Sequence, residues 1–207
     1  MPGRWKLIRL VVWAGVGALV AMVSAVLLFE ADRRATPKVG AEGSEHRPLL
    51  AAFELIDHNG RPVTGQSFVD RPLAVFFGFT HCPDVCPTTL QDLSTLLTEV
   101  GPSGNRIQVL FISVDTERDT PEELAGYITA IDPRFVALTG SEQAVRQAAD
   151  NFRVHYKRVE VAGSRSYSMD HTSTVFLMDR NHRFVGTIDL HENRTMSRAK
   201  LERLAAR

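Results

Sequence analysis

The chain has 207 residues, 44% of them hydrophobic, which is enough for one well-packed domain with an appendage. Its 24 basic side chains balance 24 acidic ones. With no positive excess to draw it to polyanions, a nucleic-acid partner is not expected.

The balance is uneven along the chain, because Arg4, Lys6 and Arg9 all precede the first acidic residue, Glu30. Setting those three aside leaves 21 basic against 24 acidic groups, a mildly acidic body. Residues 10 to 29 are an uncharged, almost wholly apolar run. As a helix that run spans about 30 Å, the thickness of a bilayer core. A cleaved signal is the competing reading, since Val23-Ser24-Ala25 offers small residues to a peptidase. The run outlasts the roughly 7–15 residues of a signal core and continues past that site, so an uncleaved single-pass anchor is expected. Arg33, Arg34 and Lys38 follow the span and nearly cancel the basic bias ahead of it, so the topology rests on the shortness of the leading tail. Residues 1 to 9 are expected in the cytoplasm, with the body on the periplasmic or extracytoplasmic side of a bacterial cytoplasmic (inner) membrane. No Arg- and Ser-rich presequence precedes the span, which argues against a mitochondrial origin.

Residues 30 to 48 are polar and carry Pro37, Gly40, Gly43 and Pro48 without periodicity, the composition of a flexible tether. The globular domain is expected over residues 49 to 207. It opens with a hairpin, residues 53 to 56 and 62 to 64, around His58-Asn59-Gly60. Residues 73 to 79 are a continuous apolar and aromatic run, the pattern of a strand buried on both faces. Residues 88 to 100 place Leu90, Leu93, Leu96 and Leu97 at helical spacing, and residues 107 to 114 read as a second buried strand. Strand, helix and strand within this length form a right-handed βαβ unit. Thr120-Pro121-Glu122-Glu123 then supplies an N-cap, a proline at N1 and an acid at N3 for a helix to about Ile131. A helix over residues 141 to 152, strands over 173 to 178 and 184 to 188, and a last helix from Ser197 complete the pattern. The fold class is α/β, a central mixed sheet with helices on both faces and its ligand edge at the carboxyl ends of the strands.

The chain's two cysteines, Cys82 and Cys86, fall at that edge, directly after the first buried strand and at the mouth of the helix. A helix N-terminus favours anions, so one or both sulfurs are expected to ionise more easily than a free thiol. A purely structural disulfide would close only a short loop and gain little from it. A zinc ribbon needs four Cys or His ligands in paired spacing, which are absent. Two soft thiolates with one imidazole suit Cu(I) instead. The residues alone select the cysteines and leave the nitrogen ligand open among seven histidines.

The segment GFTHCPDVCPTTL, residues 78 to 90, resembles the cysteine motif of the Sco/SenC family of copper chaperones. The similarity continues in SVDTERDTPEEL (113 to 124), ALTGS (137 to 141) and YSMDHTSTVFLMD (167 to 179), in the family's order. The resemblance implies a thioredoxin-like fold with one N-terminal transmembrane helix, copper as the bound metal, and Cys82, Cys86 and His171 as its ligands. It implies a role in maturing the dinuclear copper site of cytochrome c oxidase, with the copper-binding subunit of that oxidase as partner. Asp115 and Asp170 match acidic positions of the family and are expected to orient His171 or balance charge beside it. Two departures, Thr116 for a proline and Asp179-Arg180-Asn181-His182 for a proline and glycine turn, lie on connections and remove no ligand.

His81 is the rival third ligand, but it adjoins Cys82 and neighbouring side chains tend to point apart. Met169 lies near His171, yet the five methionines are dispersed, and a packing role is expected for it. The main alternative function is thiol-disulfide exchange, with reduced Cys82 and Cys86 keeping the oxidase cysteines reduced for metallation. Against a general thioredoxin stand three residues between the cysteines and the absence of proline after Pro133. A peroxiredoxin needs Thr or Ser three residues before its reactive cysteine, where Cys86 has Pro83 and Cys82 has Phe79.

Overall fold

The computed structural model describes residues 53–163, 166–189 and 191–207, together with Trp13, Met22 and Ser24. The expected anchor, apart from those three residues, and the expected tether lie outside the described residues. No helix among the described residues is long and apolar enough to cross a membrane. The globular unit runs from His46 to Arg207.

The leading hairpin forms as expected from β1 (Glu54–Asp57) and β2 (Pro62–Thr64), with Leu55 opposite Val63. Gly60 takes φ +77°, and the Asp57 carboxylate accepts from the amides of Asn59 and Arg61, both at 2.9 Å. That pattern is an Asx-type turn, built by the Asp-His-Asn-Gly sequence itself. The next two strands, β3 (Leu73–Gly78) and β4 (Gln108–Ser113), are buried at every residue and run parallel, Leu73 opposite Gln108. Between them runs α1 (Val85–Val100). It begins three residues earlier than its leucine spacing suggests, because Pro87 is tolerated in a first turn where its missing N–H has no partner to lose.

The strand β5 (Val136–Thr139) lies parallel to β4 on its far side. It is flanked by α2 (Pro121–Ile131) and α3 (Glu142–Asn151), each with a side-chain cap: Thr120 Oγ1 accepts from Glu123 N and Ser141 Oγ from Ala144 N. Two further strands, β6 (Tyr156–Glu160) and β7 (Tyr167–His171), were not anticipated from the sequence. They form a separate antiparallel ribbon, Tyr156 opposite His171 and Glu160 opposite Tyr167. Later come β8 (Thr174–Met178), antiparallel to β3, β9 (Phe184–Asp189), antiparallel to β8, and α4 (Arg194–Ala205), capped by Asn193. The seven strands of the main sheet lie in the order β2-β1-β5-β4-β3-β8-β9.

The alternation of β3 divides the core. Ala74 and Phe76 face one layer with Leu90, Leu93 and Leu97 of α1, Leu124 and Ile128 of α2, and Leu201 and Leu204 of α4. Leu73, Val75 and Phe77 face the other, with Val145, Ala148 and Ala149 of α3 and Phe53 and Leu55 near β1. Helices therefore cover both faces of a mixed sheet, and the carboxyl end of β3 leads directly into the turn that carries the cysteines. His171 ends β7, three residues ahead of β8. Met169, on the same strand, packs against both core clusters, the packing role expected of it.

Candidate metal centre

The chain leaves β3 at Gly78 and turns through Phe79, with Cys82 N donating to Phe79 O at 3.3 Å. A Cβ on Gly78 would fall 2.7 Å from Phe111 Cε2 and 2.9 Å from Cys86 Sγ, so only glycine lets the sulfur and that ring pack against the strand. The turn is fixed from below by Asp119, fully buried, which accepts from Thr80 N at 3.0 Å and from Thr80 Oγ1 at 2.6 Å. Sequence reasoning missed Asp119, because an aspartate just ahead of a capped helix carries no signal that separates a buried brace from an ordinary turn residue.

Asp84 precedes α1 but makes no capping hydrogen bond with its side chain to the helix amides. One free amide, that of Cys86, donates instead to Cys82 Sγ at 3.3 Å. The sulfur takes the place of a cap, so the anion-favouring end of the helix acts on Cys82. Cys82 is half-buried and Cys86 fully buried, and both are free thiols.

His171 enters from the ribbon. Its Nδ1 lies 3.0 Å from the Thr172 carbonyl and its Nε2 3.5 Å from Cys86 Sγ. A carbonyl oxygen can only accept, so Nδ1 carries the proton in this contact and the Nε2 lone pair faces the sulfur. Thr172 is itself held, its N–H donating to His155 O at 3.0 Å. The rings of Phe79 and Phe76 meet the imidazole edge-on, with centroids 5.8 Å and 6.2 Å away. The ligand atoms of Cys82, Cys86 and His171 all lie within 4.8 Å of one another, the one such group of His, Cys, Asp and Glu side chains among the described residues.

Burial pushes the Cys86 thiol well above its ordinary range, with the neighbouring Cys82 and Asp119 adding to the rise. This corrects the expectation of easy ionisation at Cys86: its own amide points at the other sulfur, and desolvation outweighs the helix end. Burial lowers the pKa of His171, offset in part by the Thr172 contact and by the charge of Asp170. A neutral imidazole beside a protonated buried thiol is a site poised to exchange protons for a metal cation.

The other anticipated residues fall elsewhere. His81 is half-exposed, with Nδ1 3.0 Å from Thr80 Oγ1 and 3.9 Å from Asp119 Oδ1, and it is not part of the three-ligand group. Asp115 is buried but pairs with Arg118 and accepts from Tyr167 OH at 2.8 Å. Asp170 is exposed and reaches the imidazole only through its charge. Both nitrogens of His171 are engaged by Thr172 and Cys86, so neither aspartate orients the ring. Thr172 does, through a backbone carbonyl that no residue identity could announce.

The SCO1/SenC family model matches residues 41–206. A SCO2-like protein of Rickettsia prowazekii is 34% identical over 177 residues, 83% of this chain and 82% of that one. The mitochondrial SCO1 homolog of Homo sapiens is 34% identical over 189 residues, 89% of this chain, which spans 61% of the length of the human protein. Among solved structures, Bradyrhizobium japonicum ScoI with copper bound superposes with a TM-score of 0.67 at 39% identity, covering 73% of this chain and 96% of that one. The fold is the mixed α/β, thioredoxin-like fold of these proteins, and the chain belongs to the SCO1/SenC family.

Proposed function

We propose that the domain is a copper metallochaperone, which binds one Cu(I) through Cys82 Sγ, Cys86 Sγ and His171 Nε2 and passes it to the dinuclear copper site of cytochrome c oxidase. The observation that carries the reading is the convergence of two thiols and one imidazole nitrogen within 4.8 Å at the carboxyl end of β3. Two soft sulfurs and one nitrogen satisfy Cu(I) at low coordination number, whereas a closed zinc site wants a fourth ligand. Copper here is cargo: the fold holds its three donors close before the metal arrives, two on the turn into α1 and one on the ribbon. The test is to load the chain with Cu(I), record X-ray absorption, and mix it with the apo copper domain of an oxidase. Two sulfurs and one nitrogen, transfer of the metal, and loss of tight binding in Cys82→Ser are expected. Unchanged stoichiometry in that variant would refute the assignment.

One feature favours a second activity on the same atoms. Cys82 is accessible and hydrogen-bonded by a helix amide while Cys86 is buried beside it, an arrangement in which the outer sulfur can attack a disulfide and the inner one resolve it. Reduction of oxidase cysteines before metallation is therefore the alternative role. Attachment through residues 10 to 29, on the strength of the uncharged run, and a domain outside the cytoplasm complete the proposal. Intact mass of the purified protein tests it, and a mature N-terminus near Val26 contradicts it.

A further inference from the structure

The ribbon that delivers His171 pairs with no strand of the main sheet, so sheet register does not fix the imidazole against the cysteines. A lone two-stranded ribbon is marginal in water and needs external ties. Besides the packing of Met169 and Tyr156, the Arg146 guanidinium 4.9 Å from the Tyr156 ring and the contacts of His171 itself, the polar ties of the ribbon run to the loop of residues 115 to 119, between β4 and α2.

That loop reaches in two directions. Asp119 holds the cysteine turn through Thr80. Toward the ribbon, Arg118 Nη1 donates to Tyr167 O at 3.0 Å, and its guanidinium carbon sits 3.6 Å from the centroid of the Tyr167 ring. The guanidinium is kept in place by Asp115, with Nε donating to Oδ2 and Nη2 buried against the same carboxylate in an ion pair. Tyr167 OH returns a hydrogen bond to Asp115 Oδ1. Arg158 of β6 lies at the same 3.6 Å from the Tyr167 ring and pairs with Glu117 at 2.9 Å. On its other side Arg118 lies 6.0 Å from the centroid of Phe79, the ring that meets His171 edge-on. Tyr167 and His171 are the two ends of one short strand, about 13 Å apart at strand rise.

We infer that Arg118 is a positioning residue for the metal centre: it locks the Tyr167 end of the ribbon to the loop that also braces the cysteine turn, and so sets where His171 Nε2 stands against the two sulfurs. The inference rests on the reading of Cys82, Cys86 and His171 as copper ligands, and it assigns Arg118 and Tyr167 a role in ligand geometry without contact to the metal. A lysine cannot replace it, since an ammonium does not stack as a plane and its three donors share one nitrogen, which cannot span Asp115 and the Tyr167 carbonyl as the guanidinium fork does.

The test uses the full chain and two readouts. In the metal-free protein, the His171 ring signals in NMR report its place between Phe79 and Phe76. In the Cu(I)-loaded protein, X-ray absorption reports the nitrogen ligand. Arg118→Ala is expected to move the His171 signals, to lower the nitrogen contribution while both sulfurs remain, and to weaken Cu(I) binding by about 10- to 100-fold, the usual effect of losing an outer partner of a ligand. Arg118→Lys should resemble it, and Tyr167→Phe, which keeps the ring but loses the bond to Asp115, should shift the same signals by less. Arg134→Ala serves as control for a merely structural loss, because it breaks a similar arginine–aspartate pair at the other end of β4. It should lower stability and leave the His171 signals in place. If Arg118→Ala does not fold, Tyr167→Phe decides alone. Wild-type His171 signals and an intact nitrogen ligand in the variant that folds overturn the inference. Should wild type itself show no nitrogen ligand while the His171 signals still move in the variants, the copper reading fails and the positioning role stands.

Discussion

At Gly78 a single added carbon meets both the sulfur site and the core. A methyl there would lie 2.9 Å from Cys86 Sγ and 2.7 Å from a Phe111 ring carbon, and neither can retreat from a filled layer. Gly78→Ala is expected to cost about 1–3 kcal/mol, the usual range for overpacking, and to weaken Cu(I) binding by displacing one sulfur. Urea unfolding and competition with a Cu(I) chelator measure the two effects, and wild-type values in both would show that the strand yields more easily than this packing allows. The histidines separate in the same way. His171→Ala removes the nitrogen that faces Cys86 at 3.5 Å and should weaken Cu(I) binding strongly, while the remaining dithiol still reduces a disulfide. His81→Ala, which touches Thr80 and lies outside the ligand group, should bind Cu(I) nearly as wild type does. Normal binding in the first variant with loss in the second would reassign the third ligand to His81.

At the level of elements, the cap of α2 gives a test of what the metal site does not depend on. Thr120→Ala removes the oxygen that accepts from Glu123 N, and a loss of about 1 kcal/mol in urea unfolding is expected with little change in Cu(I) affinity. A large loss of affinity would mean that α2 and the brace loop before it move as one. That cap was legible because its signal is local: Thr, Pro and Glu stand at fixed offsets. The strands β3 and β4 were legible for a similar reason, each being apolar along its length. β5 was not, since four residues are too few to show a period. Nor were β6 and β7: Lys157, Arg158, Val159 and Glu160 lie exposed, and Tyr167 and Met169, the alternating half-buried apolar positions of β7, are too few to show a period. The site followed the same division. Cys82 and Cys86 could be picked out from their spacing at a strand end. His171, 85 residues from Cys86, came only with the family motif, because nothing near it in sequence says that a ribbon will carry it back. The roles of Asp115, Arg118 and Asp119 depend on contacts between segments far apart in the chain, and the expected link from Asp115 to His171 gave way to one with Tyr167.

For the molecule as a whole, two of the three proposed ligands, Cys86 and His171, contribute to the stability of the metal-free domain at opposite ends of the pH range, beside Asp132 in acid and Tyr167 in alkali. Burial raises the pKa of Cys86 from its ordinary 9.0, so in alkali the unfolded chain sheds a proton that the folded chain keeps. The stability from this group is fully present below pH 9.0 and is lost as pH rises beyond it. Burial lowers the pKa of His171 from 6.5, so in acid the unfolded chain binds a proton first, and that stability is present above pH 6.5 and lost as pH falls. Metal binding needs the opposite state of the thiol, deprotonated, together with the neutral imidazole. Because Cys86 holds its proton at neutral pH, at least one proton must leave, and affinity should rise about tenfold per pH unit for each proton released. Bound metal also adds about 4 kcal/mol of stability when free Cu(I) is near 1,000 times its dissociation constant. Unfolding of the metal-free chain, followed from about pH 5 to pH 10, should therefore show a decline at both ends. Saturation with Cu(I) should raise the midpoint and flatten the alkaline decline, since the metal holds the sulfur as thiolate and removes its proton from the balance. Cys86→Ser should lose the part of the alkaline decline that begins near pH 9.0, leaving the part that Tyr127 and Tyr167 add at higher pH. If that earlier part survives in Cys86→Ser, the buried thiol is not its source, and the proton released on copper binding must come from another group.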